Sequence, residues 1–109
     1  QTRDEIAEVF YPGLAGDPEG LIGTQLTGTG SMLSIRMKGG YEAASTLTGG
    51  VKVFTHAVSL GGVDSLIQHP AALTHRPVPP EARPGADIVR VSVGLEHPED
   101  LINDLEQAL

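Results

Sequence analysis

Arg90 stands in the run Ile88-Val89-Arg90-Val91-Ser92-Val93, a lone cation among valines. Period-two alternation puts Val89, Val91 and Val93 on one face of a strand and Ile88, Arg90 and Ser92 on the other. A guanidinium fixed there offers a planar fork of donors that matches a carboxylate or phosphate bidentately. Upstream, Ser59 directly precedes Leu60-Gly61-Gly62. A glycine pair after a hydroxyl lets backbone approach a ligand closely, with N–H groups aimed at it. Together the two features point to a place where a small anion is held. Residue chemistry leaves two plainer readings open: a solvated arginine on an exposed sheet face, and an ordinary strand-ending turn.

Other reactive side chains do not assemble into a site. No nucleophile–base pair surrounds Ser59 or Arg90. His56, His69, His75 and His97 lack the spacing of metal ligands, and the two that flank the Pro70 region read as loop hydrogen-bonding groups. Gly28-Thr29-Gly30 precedes a strand and not a helix, so it is no dinucleotide fingerprint. Glu96, Glu99, Asp100, Asp104 and Glu106 read as a solvated helix face and its first turn.

The elements that must position Arg90 and Ser59 follow from pattern. Residues 1–10 read as the end of a helix with Ile6, Val9 and Phe10 on one side, broken by Pro12-Gly13. Asp17-Pro18-Glu19 is a helix start ahead of the apolar stripe Leu21, Ile22, Gln25 and Leu26, which Gly20 and Gly23 weaken. Residues 31–38 alternate cleanly, with Leu33, Ile35 and Met37 opposite Ser34, Arg36 and Lys38, as in a half-buried strand of an antiparallel or mixed sheet. Tyr41, Ala44 and Leu47 have helical spacing, and Gly49-Gly50 ends that helix. Residues 51–58, 63–69 and 88–93 read as strands. Residues 70–87 read as an ordered loop with a single helical turn at 80–83. Pro98-Glu99-Asp100 opens a last helix whose buried stripe is Leu101, Ile102, Leu105, Ala108 and Leu109. The expected order is helix, strand, helix, three strands, helix. Its economical packing is an α+β two-layer sandwich, a small, mostly antiparallel sheet covered on one face by helices.

Composition narrows the class. The 109 residues suit one domain with a single core, and 39% hydrophobic content fits a globular chain. Aromatics are only 4%, so aliphatic side chains must fill that core. A net charge of -7 without a basic cluster argues against nucleic-acid binding, which needs phosphate neutralisation. No apolar run approaches the length of a membrane span. The absence of cysteine excludes a disulfide framework and is compatible with a reducing cytosol. Gln1 is no initiator, and the residues after it form no signal peptide, so the chain reads as a fragment of something longer.

Taken in order, several motifs resemble one family. They are Ala57-Val58-Ser59-Leu60-Gly61-Gly62, Ser65-Leu66-Ile67, His69-Pro70-Ala71, Thr74-His75 and Arg90-Val91-Ser92-Val93-Gly94-Leu95-Glu96. Tyr11-Pro12-Gly13-Leu14, Gln25, Gly28 and the closing Glu99-Asp100-Leu101-Ile102-Asn103-Asp104-Leu105 match as well, so the likeness covers nearly the whole chain. The sequence is similar to the carboxy-terminal domain of the Cys/Met-metabolism (trans-sulfuration) PLP-dependent enzymes.

The resemblance implies a fold-type-I enzyme, usually a cytoplasmic homotetramer. Its preceding domain, absent here, holds pyridoxal phosphate through a lysine imine. Neither Lys38 nor Lys52 sits in that lysine's motif, so residues 1–109 would form a single substrate-binding domain, inactive alone and with no catalytic residue of its own. By resemblance, Arg90 pairs with the α-carboxylate of a sulfur amino acid, Ser59 lies near that carboxylate and the Leu60 backbone lies beside it. The cofactor carries the electron-sink chemistry, and the protein must fix which bond at Cα is aligned with it.

Val58 is the handle on substrate. Relatives that handle cystathionine often carry glutamate at this position, whereas an apolar residue resembles the methionine γ-lyases and some sulfhydrylases. The expectation is carbon–sulfur lyase chemistry, γ-elimination of methionine or a homocysteine-type substrate. The alternatives are cystathionine γ-synthase, cystathionine γ-lyase or O-acyl-homoserine sulfhydrylase chemistry. A free-standing small-molecule-binding α+β domain is the reading from another class. Gly20 and Gly23, and a short segment around Pro84-Gly85, depart from the family pattern without touching the Ser59 or Arg90 motifs.

Overall fold

The computed structural model describes residues 3–13, 28, 30–70 and 85–109. Its sheet is built from β1 (Ile6–Phe10), β2 (Met32–Met37), β3 (Thr55–His56), β4 (Leu66–Gln68) and β5 (Ile88–Ser92). Helix α1 (Gly40–Gly50) follows β2, and α2 (Pro98–Ala108) closes the chain. The strand order is β1-β2-β5-β4-β3, with every pairing antiparallel except the short parallel β3–β4 pair. The expected α+β sandwich is the one observed.

Alternation decides which face the helices cover. Ile35 and Met37 of β2, Val89 and Val91 of β5, and Ile67 of β4 are buried with Ala44 and Leu47 of α1, Leu101 of α2 and Phe54. Each of these side chains other than Ala44, fully removed from water, contributes about 1.5–3 kcal/mol. The helices press close: a Cβ on Gly50 would stand 3.2 Å from the Ala108 Cβ. Arg36, one residue off the buried set, is exposed on the opposite face.

Four differences from the sequence reading have physical causes. Residues 6–10 form a strand and not a helix end. A register shift between Ile6 and Glu8 leaves Ile6 and Val9 as the half-buried residues, three apart, a spacing that mimics a helix. The strand expected over 51–58 shrinks to Thr55–His56 because the backbone N–H groups of Lys52, Val53 and Phe54 donate to the Asp104 carboxylate and join no ladder. The 63–69 strand shrinks to Leu66–Gln68, its first residues being bonded to the segment after β5. On α2, Leu101 is buried and Leu105, Ala108 and Leu109 are half-buried, but Ile102 is 55% exposed. Asp104 takes its place at 4% exposure, and the stripe 101, 104, 105, 108 follows helical spacing. The expected helix after Asp17 and the turn at 80–83 lie outside the described residues.

Candidate functional site

β5 runs between β2 and β4, with Arg90 opposite Ser34 on one side and Gln68 on the other. Its central place pairs it on both edges. Val89 and Val91 point into the helix-covered core, which sends Arg90 to the other face, half-buried. There Arg90 Nη2 donates to the Val58 carbonyl at 3.1 Å and to Gln68 Oε1. Gln68 is only 1% exposed, so the guanidinium is steered by an amide held firmly in place.

Both acceptors are neutral. They orient the guanidinium without cancelling its charge, and no described carboxylate lies within ion-pair distance of Arg90. Arg36, on the same face, is the counter-example. Its Nη1 meets Glu8 Oε2 at 2.9 Å, its Nε lies 3.6 Å from Asp87 Oδ2, and the guanidinium stacks over Phe10 at 5.2 Å. A half-buried cation whose described partners are uncharged is suited to receive an anion.

The Val58 contact places the strap carrying Ser59 on the Arg90 face of the sheet, not beneath the helices. Gly61, at φ +75°, donates its N–H to Ser92 Oγ at 2.9 Å, so the strap touches β5 again two residues beyond Arg90. The left-handed backbone at Gly61 is what lets the chain turn there, since other residues rarely adopt it. Val58, Ser59 and Leu60 are all exposed beside this contact. The sequence reading placed Ser92 on the Arg90 face, and it lies there, almost fully buried.

The strap's return is fixed by a group the sequence reading assigned to solvent. Glu96 accepts from Ser65 N through Oε1 at 3.1 Å and Oε2 at 3.0 Å, and from the Ser65 hydroxyl at 2.7 Å. Ser65 Oγ in turn accepts from Gly94 N at 2.8 Å, and Leu95 N donates to the Val63 carbonyl at 2.8 Å. The Ser65 N–H, then its hydroxyl, hold the Glu96 carboxyl below its ordinary pKa, against a small opposing effect of burial. No period or spacing marks Glu96 as bound; Gly94 two residues earlier was the available signal. A Cβ there would sit 2.2 Å from the Val63 carbonyl oxygen and 2.6 Å from Ser65 N, so only glycine permits the approach.

Asp104 is the second carboxylate misread as solvated. It accepts from Lys52 N at 2.7 Å, Val53 N at 2.7 Å and Phe54 N at 2.9 Å. Burial alone would raise its pKa, but the Phe54, Lys52 and Val53 N–H groups, with the Gln107 amide, outweigh burial and lower it. This carboxylate belongs to the helix layer and not to the Arg90 face.

The described residues do not suit an imine-forming cofactor. Lys38 and Lys52 are the chain's two lysines and both are exposed. Lys38 follows β2, with its N–H on the Glu5 carbonyl, and Lys52 is held by its backbone against α2. Neither is part of the Arg90–Val58–Gln68 arrangement. Among the described residues, no group of His, Asp or Glu could hold a metal ion, and no helix is long and apolar enough to cross a membrane. His69 is buried, with Nε2 at 2.7 Å from the Ala86 carbonyl and its ring 4.7 Å from that of Tyr41, the loop role expected of it.

Comparison with known proteins shows what the chain is similar to. The sequence pattern of the Cys/Met metabolism PLP-dependent enzymes matches residues 1–109. L-methionine gamma-lyase of Brevibacterium aurantiacum is 53% identical over 105 residues, covering 95% of this chain and 26% of that protein. L-methionine gamma-lyase of Treponema denticola is 48% identical over 114 residues, covering 100% of this chain and 28% of that protein. Cystathionine gamma-synthase of Mycobacterium tuberculosis is 45% identical over 106 residues, covering 95% and 27%. Among solved structures, metB from Corynebacterium glutamicum superposes with a TM-score of 0.88 at 41% identity, over 98% of this chain and 28% of that one. Cystathione gamma lyase (CalE6) from Micromonospora echinospora gives 0.90 at 39%, over 99% and 29%. The chain thus spans little more than a quarter of the length of these relatives.

Proposed function

This chain belongs to the Cys/Met metabolism PLP-dependent enzyme family, and we propose that it forms the carboxylate-binding, C-terminal part of a carbon–sulfur lyase of the methionine γ-lyase type. The observation that carries the proposal is Arg90, fixed on the central strand by the Val58 carbonyl and the Gln68 amide. In this reading the guanidinium receives the α-carboxylate of a sulfur amino acid, and Ser59 and the Leu60 backbone border the bound molecule. Gln68 and Val58 keep the donor fork turned toward it. Bound pyridoxal phosphate supplies the electron sink in this family. With neither lysine placed to hold it, the cofactor belongs to a preceding domain outside this chain. Assembly as a homotetramer and a cytoplasmic setting are part of the same proposal and rest on the family likeness.

Substrate choice is read from Val58, which is 57% exposed beside Arg90 and carries no charge to meet a second amino group. Two relatives named methionine gamma-lyase, at 53% and 48% identity, support elimination from methionine. The relatives named cystathionine gamma-synthase, at 45%, and cystathione gamma lyase, at 39%, keep cystathionine γ-synthase or γ-lyase chemistry as the second reading. The test is turnover by the full-length enzyme of methionine and cystathionine side by side, with Arg90→Ala as the site variant. Faster turnover of methionine is expected, together with a KM for amino acids raised about 100-fold by Arg90→Ala, as for loss of a hydrogen-bonded charge partner. Preference for cystathionine would transfer the assignment to the second reading. Unchanged amino-acid kinetics in Arg90→Ala would remove Arg90 from the site.

A further inference from the structure

We infer that Glu96 is a positioning residue for substrate binding: acting through Ser65, it holds the strap of residues 57–64 in register against Arg90 without touching substrate. The inference rests on reading Arg90 as the carboxylate-binding group.

The strap meets β5 and its extension at three successive levels. At the first, Arg90 Nη2 donates to the Val58 carbonyl at 3.1 Å, and at the second Ser92 Oγ accepts from Gly61 N at 2.9 Å. Each is a single contact of exposed strap backbone, the first charge-assisted through the guanidinium and the second between neutral groups. The third level is of another kind. Ser65 is 0% exposed, its N–H and hydroxyl both donate to the Glu96 carboxylate, and its oxygen also accepts from Gly94 N. Charge-assisted hydrogen bonds of this sort are about twice as strong as neutral ones. The close passage of Gly94 against residues 63–65 removes any slack.

The chemistry calls for a carboxylate. Two donors on one residue converge on Glu96, and the Ser65 hydroxyl is already an acceptor toward Gly94. A glutamine amide can keep one oxygen at the Oε1 position, which takes both Ser65 donors, but it sets its NH2 where Oε2 stands, 3.0 Å from Ser65 N, donor against donor. That repulsion, with the loss of the carboxylate charge, shifts the strap root. Because Val58 is one of two orienting contacts on the guanidinium, a root shift reaches Arg90 directly. Misplacement by about 1 Å can cost a site as much as 100-fold.

The experiment uses the full-length enzyme, assayed with whichever of methionine and cystathionine it turns over faster. Glu96→Gln is expected to raise KM about tenfold while kcat stays within about threefold. The decisive readout is a double-mutant cycle with Arg90→Lys. If Glu96 works through the setting of Arg90, its KM effect falls to about twofold or less once the fork is gone. Additive KM effects, or a lowered thermal midpoint with KM unmoved, would overturn the inference and leave Glu96 a plain loop anchor. Ser65→Ala gives the same cycle an independent entry should Glu96→Gln fail to fold, with KM expected to rise in the same direction. An unaltered KM in Arg90→Lys alone would fell the carboxylate reading and this inference together. A raised KM in Arg90→Lys with no change in Glu96→Gln or Ser65→Ala would fell only the inference.

Discussion

Along β5, Val89 and Val91 stand one residue away from Arg90 and Ser92, yet the two pairs meet opposite surroundings. The valines face aliphatic side chains and helices, where every group is packed and the carboxylate of Asp104 is spent on backbone. Arg90 and Ser92 face a polar layer whose hydrogen bonds run to the 57–64 strap. Within that second layer a finer contrast separates two arginines. Arg36 is neutralised by Glu8 and Asp87, while Arg90 leans on an amide and a carbonyl. One side of the sheet is organised for stability, and on the other Arg90 has no described carboxylate partner, as the proposed carboxylate site requires.

If that division holds, damage to the helix side should lower stability and leave substrate binding alone. Asp104→Asn sets an amide nitrogen against the N–H groups of residues 52–54 and is expected to cost about 3 kcal/mol in equilibrium denaturation, with KM unchanged. A KM effect here would break the division. The same residue predicts an acid limb. Its carboxyl pKa is lowered in the folded state, so its stabilisation is complete above the unfolded carboxyl value of about 4 and is lost as pH falls through the folded value. A denaturation series from pH 6 to pH 2 should show that loss, flattened in Asp104→Asn.

Gln68→Glu sharpens the contrast between the arginines by giving Arg90 the kind of partner Arg36 has. An internal carboxylate would compete with the substrate's, and KM should rise about tenfold. An unmoved KM would mean that neutrality of the Arg90 partners has no part in binding. The smallest effect belongs to Arg36→Ala. Its pairs are exposed, so about 0–1 kcal/mol should be lost, with kinetics unaltered.

The fold was legible where burial follows a simple period. β2 and β5 alternate, and Ala44 and Leu47 mark α1, so the sheet's centre and its cover could be read from residue order. β1 was not legible, because its register shift puts the half-buried residues at a helical interval. Residues 51–54 looked like strand because β-branched residues favour sheets, yet the N–H groups of 52–54 found a better acceptor in Asp104, far along the chain. The place of Arg90 on the sheet was legible by type and position, and its proposed role rests on family likeness. Gln68, Ser65 and Glu96 were not, since each owes its place to a partner far along the chain. A lone acidic residue after a strand looks solvated until the backbone it serves is seen.

Under the proposed function, Gly94 has a practical bearing on efforts to retune selectivity. A combinatorial library aimed at selectivity would diversify 58 and 60, where side chains are exposed beside the arginine. It would leave 94 as encoded, since even alanine would drive its methyl into the main chain of 63–65. The room for change therefore sits at the crest of the strap, and the end packed against Gly94 tolerates none.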